Sequence, residues 1–257
     1  MDNQEATKRS SGQSVSNSSK GSKSRFVLLI ATAVFFFGNE GAVMKANPPE
    51  PAAVPINVKI TGAISHTDHT PGQNGTITFN RFPATVKEFQ QVRDQIGGEP
   101  HGAVALQIMA YEMYRRNKKI GEECITLNSV RTTVQSSTRR LNELYGKDAN
   151  YARPYQMAAY LKDATPENGY SPSKPYTIEV QVDNVNAYQK SSIFQTDVLY
   201  LKVLTNGKDR GSVGVAVLKT HDPNQPSQGK YFIIFESSNL YTQVKAVSFT
   251  SPFKGLD

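Results

Sequence analysis

The chain has 257 residues, 38% of them hydrophobic, and a formal net charge of +7, which is material for one compact domain with appendages. Six basic and three acidic residues in 1–46 supply +3 of that charge; the remaining +4 is ordinary, and no basic run or aromatic-basic motif points to nucleic acid. The single cysteine, Cys124, excludes an intramolecular disulfide framework, so stability must come from packing.

Residues 1–25 are rich in Ser, Gly, Asn, Gln and Lys and offer almost nothing apolar to bury, the composition of a disordered leader. A charge-free run, Phe26 to Phe37, follows Lys8, Arg9, Lys20, Lys23 and Arg25, the order of an n-region and h-region. Twelve residues rise about 18 Å as a helix, short of the ~30 Å hydrocarbon core. Segment 26–44 therefore reads as a cleaved signal peptide or, if it stays, a signal anchor, with no small-x-small pair closing it. Either reading places the protein outside the cytoplasm or anchored to the outer face of the cytoplasmic membrane. Residues 45–55 end in NPPEPAAVP, a semi-rigid linker, and 56–257 form the expected domain.

The domain opens on a short strand in which Ile56, Val58 and Ile60 alternate with polar residues, then a turn at Asn74-Gly75 and a second strand over Thr76 to Phe79. Between them lies His66-Thr67-Asp68-His69. His66, Asp68 and His69 are weak metal-ligand candidates, because no third anchored ligand and no helical spacing supports them; a solvated loop is the plainer reading.

Four helices follow. Thr85 is placed to N-cap the first, with Phe89, Val92 and Ile96 on one face and Gly97-Gly98 as its stop. Pro100 opens the second, whose apolar residues run so far around the axis that it should be central and buried. Arg115, Arg116, Lys118 and Lys119 sit at its end, where cations meet the helix dipole favourably. A third helix is expected over Ile120 to Leu127, holding Cys124 as a small buried hydrophobe, and a fourth over Val134 to Tyr145, closed by Gly146. Residues 151–162 read either as extended chain or as a helical turn.

Pro166, Pro172 and Pro175 make the next stretch a stiff, turn-rich entry, after which Tyr176, Ile178, Val180 and Val182 alternate with polar residues as a half-buried strand. Strands are expected over Val198 to Thr205, Ser212 to Thr220 with Val213, Val215 and Val217 on one face, Tyr231 to Phe235, and Thr242 to Phe249. Helices followed by antiparallel strands give an α+β fold, N-terminal helices packed on a C-terminal antiparallel sheet.

The words FPATVKEF at 82–89, ATPENGYSPSKPYTIEV at 164–180 and KYFIIFESSNL at 230–240 resemble an uncharacterised family of bacterial domains of unknown function. That family carries a phrase similar to ATPEN-x-Y-[ST]-P-x-x-PYTI between a helical half and strands, and the resemblance spans 76–247. The chain departs from the pattern in lacking tryptophan and in its long amino-terminal extension. The resemblance implies no activity and no catalytic residue. The element order also looks like the cystatin-like or nuclear-transport-factor-like cone, an analogy of order only.

No residue set argues for catalysis, and no cofactor is implied. The leading functional expectation is a non-enzymatic, exported or membrane-tethered domain that binds a protein, peptide or envelope component. Tyr155, Tyr170 and Tyr176 are its candidate contact residues, on rigid loops, although the same rings can instead pack the loop onto the domain. The alternative is a small-molecule binder or hydrolase using a pocket between helices and sheet, with His101, Glu112, Glu122 and Glu123 as polar candidates. Adjacent Glu122 and Glu123 cannot face one pocket together. A third class, a structural subunit that assembles through sheet edges, remains open.

Overall fold

The computed structural model describes residues 54–68, 70–145, 155–183, 188–191, 196–220, 228–237, 240–241 and 244–248. These all belong to the unit Ala52–Asp257. The leader 1–25, segment 26–44, linker residues 45–53, His69 and Gly146 lie outside them. Among the described residues no helix is long and apolar enough to cross a membrane.

Strands β1 (Val58–Gly62) and β2 (Asn74–Phe79) form an antiparallel pair in which Val58 faces Phe79 and Gly62 faces Gly75. Asn74 and Gly75 are thus the first residues of a strand, and the turn falls just before them, where Gln73 N–H donates to the Thr70 carbonyl (3.1 Å). The approach to β1 is strapped down by the residues after β2: Arg81 Nε donates to the Val54 carbonyl (2.7 Å) and Asn80 Nδ2 to that of Pro55 (2.9 Å).

Helix α1 (Val86–Ile96) starts as expected, with Thr85 Oγ1 accepting from Glu88 N–H (3.2 Å) and Phe89, Val92 and Ile96 buried. Glu88 also reaches back past the cap to accept from Ala84 N–H (2.8 Å), tying the residue before the cap to the first turn. The stop differs from expectation in kind. Gly97 keeps a right-handed conformation (φ −70), so the glycine is not there for a left-handed cap.

Helix α2 (Pro100–Arg116) is the central element, buried at every residue from Pro100 to Tyr114. Asn117 ends it and at once caps α3 (Lys118–Asn128), its Oδ1 accepting from Ile120 N–H (3.2 Å). Lys118 and Lys119 therefore open α3 rather than close α2, which corrects the reading of the basic cluster. Helices α2 and α3 meet backbone to backbone because position 121 is glycine. A Cβ there would stand inside 3.0 Å of Tyr114 main-chain atoms, a separation real side chains do not show. Helix α4 (Arg131–Tyr145) is the least embedded, with only Thr133, Ser137 and Leu141 buried.

The remaining strands are β3 (Tyr176–Val182), β4 (Tyr188–Ser191), β5 (Thr196–Leu204), β6 (Ser212–Lys219) and β7 (Tyr231–Glu236), all antiparallel in the order β1-β2-β3-β5-β6-β7. β4 pairs with the first half of β5, on the edge whose second half pairs with β3. The fold is α+β, and its sheet draws β1 and β2 from before the helices as well as five strands from after them. Ile77, Phe79, Ile178, Val180, Val182, Leu201, Val203, Val213, Val215, Val217 and Ile233 join α2 in one core, an area-proportional stabilisation of roughly 25 cal/mol per Å² of apolar surface removed from water.

Of the two readings of 151–162, the described residues take the helical one, 155–160 forming a turn and a 3-10 helix (Ala158–Tyr160). One expectation is corrected by where backbone donors go. Residues 244–248 are irregular, not a last strand: Val244 N–H donates to Gln156 Oε1 (3.2 Å), Lys245 N–H to the Gly207 carbonyl (2.9 Å) and Ser248 N–H to that of Pro166 (3.0 Å). Donors spent on three separate loops cannot build a ladder.

Candidate functional site

Asn168 explains the long phrase at 164–180. Its Oδ1 accepts from Thr165 N–H (2.9 Å) and Ser171 N–H (3.2 Å), while its Nδ2 donates to the Asp163 carbonyl (2.7 Å). This side-chain mimicry of a backbone turn holds Asp163 (φ 64) and Tyr170 (φ 56) in left-handed conformations, rare for residues with a Cβ. Tyr170 is 3% exposed; its ring stacks on Tyr155 at 4.8 Å and its hydroxyl donates to the Lys245 carbonyl (2.9 Å). Tyr155 is half-buried and its hydroxyl accepts from Val247 N–H (3.4 Å). Tyr176, also half-buried, lies against Phe79 (5.6 Å) and Phe82 (5.8 Å). The three candidate contact tyrosines are thus split between two packing tasks, Tyr155 and Tyr170 clamping 244–248 and Tyr176 filling the corner between β2 and α1.

The other named candidates are dispersed. Asp68 is exposed in the loop after β1, its N–H donating to Ser65 Oγ (2.9 Å), and His66 lies 5.7 Å from the Tyr231 ring. Among the described residues no three of His, Cys, Asp and Glu come together as a metal site. Glu112 is clasped by Arg115 (2.7 Å) and Arg116 (2.7 Å). Glu123 is exposed on α3. Cys124 is buried against Met113 Sδ (3.7 Å), and burial pushes its thiol up to about 12, the signature of an inert packing residue. His101 is fully buried beneath Gly75. Burial lowers its pKa to about 4 against a smaller opposing pull from the Thr61 carbonyl, and neither ring nitrogen has a hydrogen-bond partner of good geometry.

A polar cluster that sequence reading missed lies where α2, α4 and β7 meet. β7 carries a bulge: Val217 faces Ile233, but Ala216 faces Phe235 and Val215 faces Glu236, so Ile234 is an extra residue. Strict alternation from Tyr231 and Ile233 would bury Phe235 and expose Glu236. The bulge inverts this, leaving Phe235 53% exposed and Glu236 7% exposed. Inside, Glu236 Oε1 accepts from the Tyr111 hydroxyl and approaches Ser137 Oγ at 2.5 Å, while Oε2 accepts from Gln107 Nε2 (3.3 Å). Gln107 Oε1 in turn accepts from Asn128 Nδ2 (2.9 Å) and Ser129 Oγ (3.1 Å). Burial raises the Glu236 carboxyl to about 7 despite three donors, and among the described residues no cation offsets it. A carboxyl that titrates near neutrality can exchange a proton, though it is closed off from solvent.

Two surface clefts are lined by described residues throughout. One, of about 450 Å³, runs between α1 and the strap before β1: Pro55, Ile56 and Val92 give it apolar area, and Gln91, Gln95, Asp94 and the Arg81–Glu88 ion pair (2.6 Å) give it polar rim. The Arg81 guanidinium holds Glu88 down to about 2. The other, of about 190 Å³, lies beside Lys162, Asp163, Glu179 and Asn206, with Lys162 paired to Glu179 (3.0 Å).

A family model described as Domain of unknown function (DUF6935) matches residues 81–248, from the residue that straps β1 to the end of the clamped C-terminal segment. No curated protein and no solved structure matches the chain.

Proposed function

The chain belongs to the Domain of unknown function (DUF6935) family, and from that premise we propose a non-enzymatic binding module, exported or tethered at the outer face of the cytoplasmic membrane, that engages a protein, peptide or envelope component. The observation that carries the reading is a contrast. The polar groups with unusual chemistry, Glu236 and His101, are sealed in the core, whereas the open 450 Å³ cleft is walled by a capped helix and the strapped approach to β1. Its exposed Gln91 and Gln95 offer amide donors and acceptors, and Val92 with Ile56 offers a small apolar floor, a combination suited to extended polypeptide. Rigid walls lower the ordering cost of binding. Half-buried Tyr155 and Tyr176 remain contact candidates through their exposed edges.

Site-specific photocrosslinking in producing cells tests this. A photoreactive residue at Gln91 is expected to give discrete adducts absent when it is placed at exposed Gln135 on α4; no adduct at Gln91, or the same adducts at both, overturns the cleft as the contact site. The alternative, small-molecule binding or hydrolysis between helices and sheet, is favoured by the Glu236 carboxyl with Tyr111 and Ser137 around it. It expects Glu236→Gln to abolish a ligand response, whereas the leading reading expects that variant to keep the Gln91 adduct.

A further inference from the structure

Ser137 has one hydroxyl proton and two acceptors competing for it, the Thr133 carbonyl one turn back (2.7 Å) and Glu236 Oε1 (2.5 Å). Two hydrogen-bond patterns are self-consistent. With the carboxyl protonated, Oε1–H donates to Ser137, Ser137 donates to Thr133, and Tyr111 and Gln107 donate to the remaining carboxyl lone pairs. With the carboxyl ionised, Ser137 must turn its proton to Oε1, and the Thr133 carbonyl keeps Ser136 Oγ (3.0 Å). The second pattern leaves a negative charge in the core with no countercharge among the described residues. The titratable groups facing it are Tyr111 from α2, Tyr160 from the 3-10 helix and Tyr241 from the stretch after β7; Arg139, Arg140 and Glu143 of α4 act on Tyr241.

Water reaching the carboxyl would relieve that charge, and α4 is the element that can admit it at least cost. Leu141 is its one fully buried apolar side chain; Val134, Leu144 and Tyr145 pack on the core only in part, and its remaining anchors toward β7 are polar. Thr133 Oγ1 donates to the carbonyl of the bulge residue Ile234 (2.8 Å), and Val130 N–H, just before the helix, donates to that of Ile233 (3.0 Å). Elements with few buried apolar contacts open first.

We propose that Glu236 and Ser137 form a proton-operated latch on α4: the helix is docked while the carboxyl holds its proton and is released from α2 and β7 when the proton leaves. This goes beyond the binding reading and does not depend on it. Burial has moved the carboxyl from 4.5 to about 7. A raised carboxyl pKa stabilises the closed state below the ordinary value, and that stabilisation is lost as pH rises through the closed-state value.

Amide hydrogen exchange on the full chain, read by mass spectrometry from pH 5 to 8.5 as protection relative to α2, tests the latch. The α4 opening constant is expected to rise roughly fifty- to a hundredfold over that range. Glu236→Gln, which carries no charge at any pH in the range, is expected to flatten the dependence. Ser137→Ala keeps the carboxyl but removes a donor to its ionised form, so its midpoint is expected to move up. Protection of α4 that parallels α2 throughout, an unchanged pH course in Glu236→Gln, or an unmoved midpoint in Ser137→Ala overturns the proposal.

Discussion

Gly121→Ala sets two effects of opposite sign against each other. Replacing a mid-helix glycine by alanine favours the helix by about 1 kcal/mol through lost backbone freedom in the unfolded chain. In this fold the added Cβ would meet Tyr114 Cα, N and Cβ well inside 3.0 Å. Ordinary contact is 3.4–4 Å, so α3 must move off α2 by roughly 1 Å, and a gap of that size forfeits a quarter to a half of each dispersion contact along the seam. The seam holds Cys124 and Ile125, both fully buried. Overpacking costs about 1–3 kcal/mol where side chains can give way and more against main chain, which cannot rotate away; at about 3–4 kcal/mol the net loss is about 2–3 kcal/mol. In urea, with a slope of about 2 kcal/mol/M, the midpoint should fall by roughly 1–1.5 M without a change of slope. Gly214→Ala is the control, because nothing lies within 4 Å of its Cβ position; it should be neutral or slightly stabilising. A Gly121→Ala midpoint at or above that of the parent would refute the close backbone approach of α2 and α3.

Three further outcomes follow from the geometry. Glu88→Gln should cost no more than about 1 kcal/mol at pH 7, since the pair with Arg81 is partly solvated. Because the Glu88 pKa is depressed to about 2, its contribution is present above the ordinary carboxylate value and lost as pH falls through 2, so parent and variant should converge in acid titrations of stability. Asn168→Ala should lower the melting temperature by about 2–4 °C, consistent with about 1 kcal/mol for the turn it organises. Cys124, buried and with its thiol raised to about 12, should react with iodoacetamide only at the rate of unfolding; prompt labelling of the native chain would contradict its placement.

The helices were legible because their signals are local. Thr85, Pro100 and the spacing of Phe89, Val92 and Ile96 act within one or two turns, and the apolar wrap of α2 announces burial on all sides. What escaped depends on partners distant in sequence. Nothing in YFIIFE shows that Ile234 is an extra residue, because the bulge exists only against Ala216 and Val217, and with it went the burial of Glu236. Asn74-Gly75 carries a turn signal, yet the glycine is required in the strand because the His101 ring lies where its Cβ would be. Residues 242–249 alternate like a strand, but 244–248 give their donors to Gln156, Gly207, Tyr155 and Pro166. Lys118 and Lys119 looked like the end of one helix because a single residue, Asn117, separates it from the next.

The most direct test of the binding-module account is fractionation of cells producing the C-terminally tagged full chain, with protease added from outside and intact mass of what is recovered. The account predicts a tag cleaved by external protease, on a species that is either full-length in the membrane or shortened to begin after Phe37. A full-length, protease-protected species in the cytosol would contradict it.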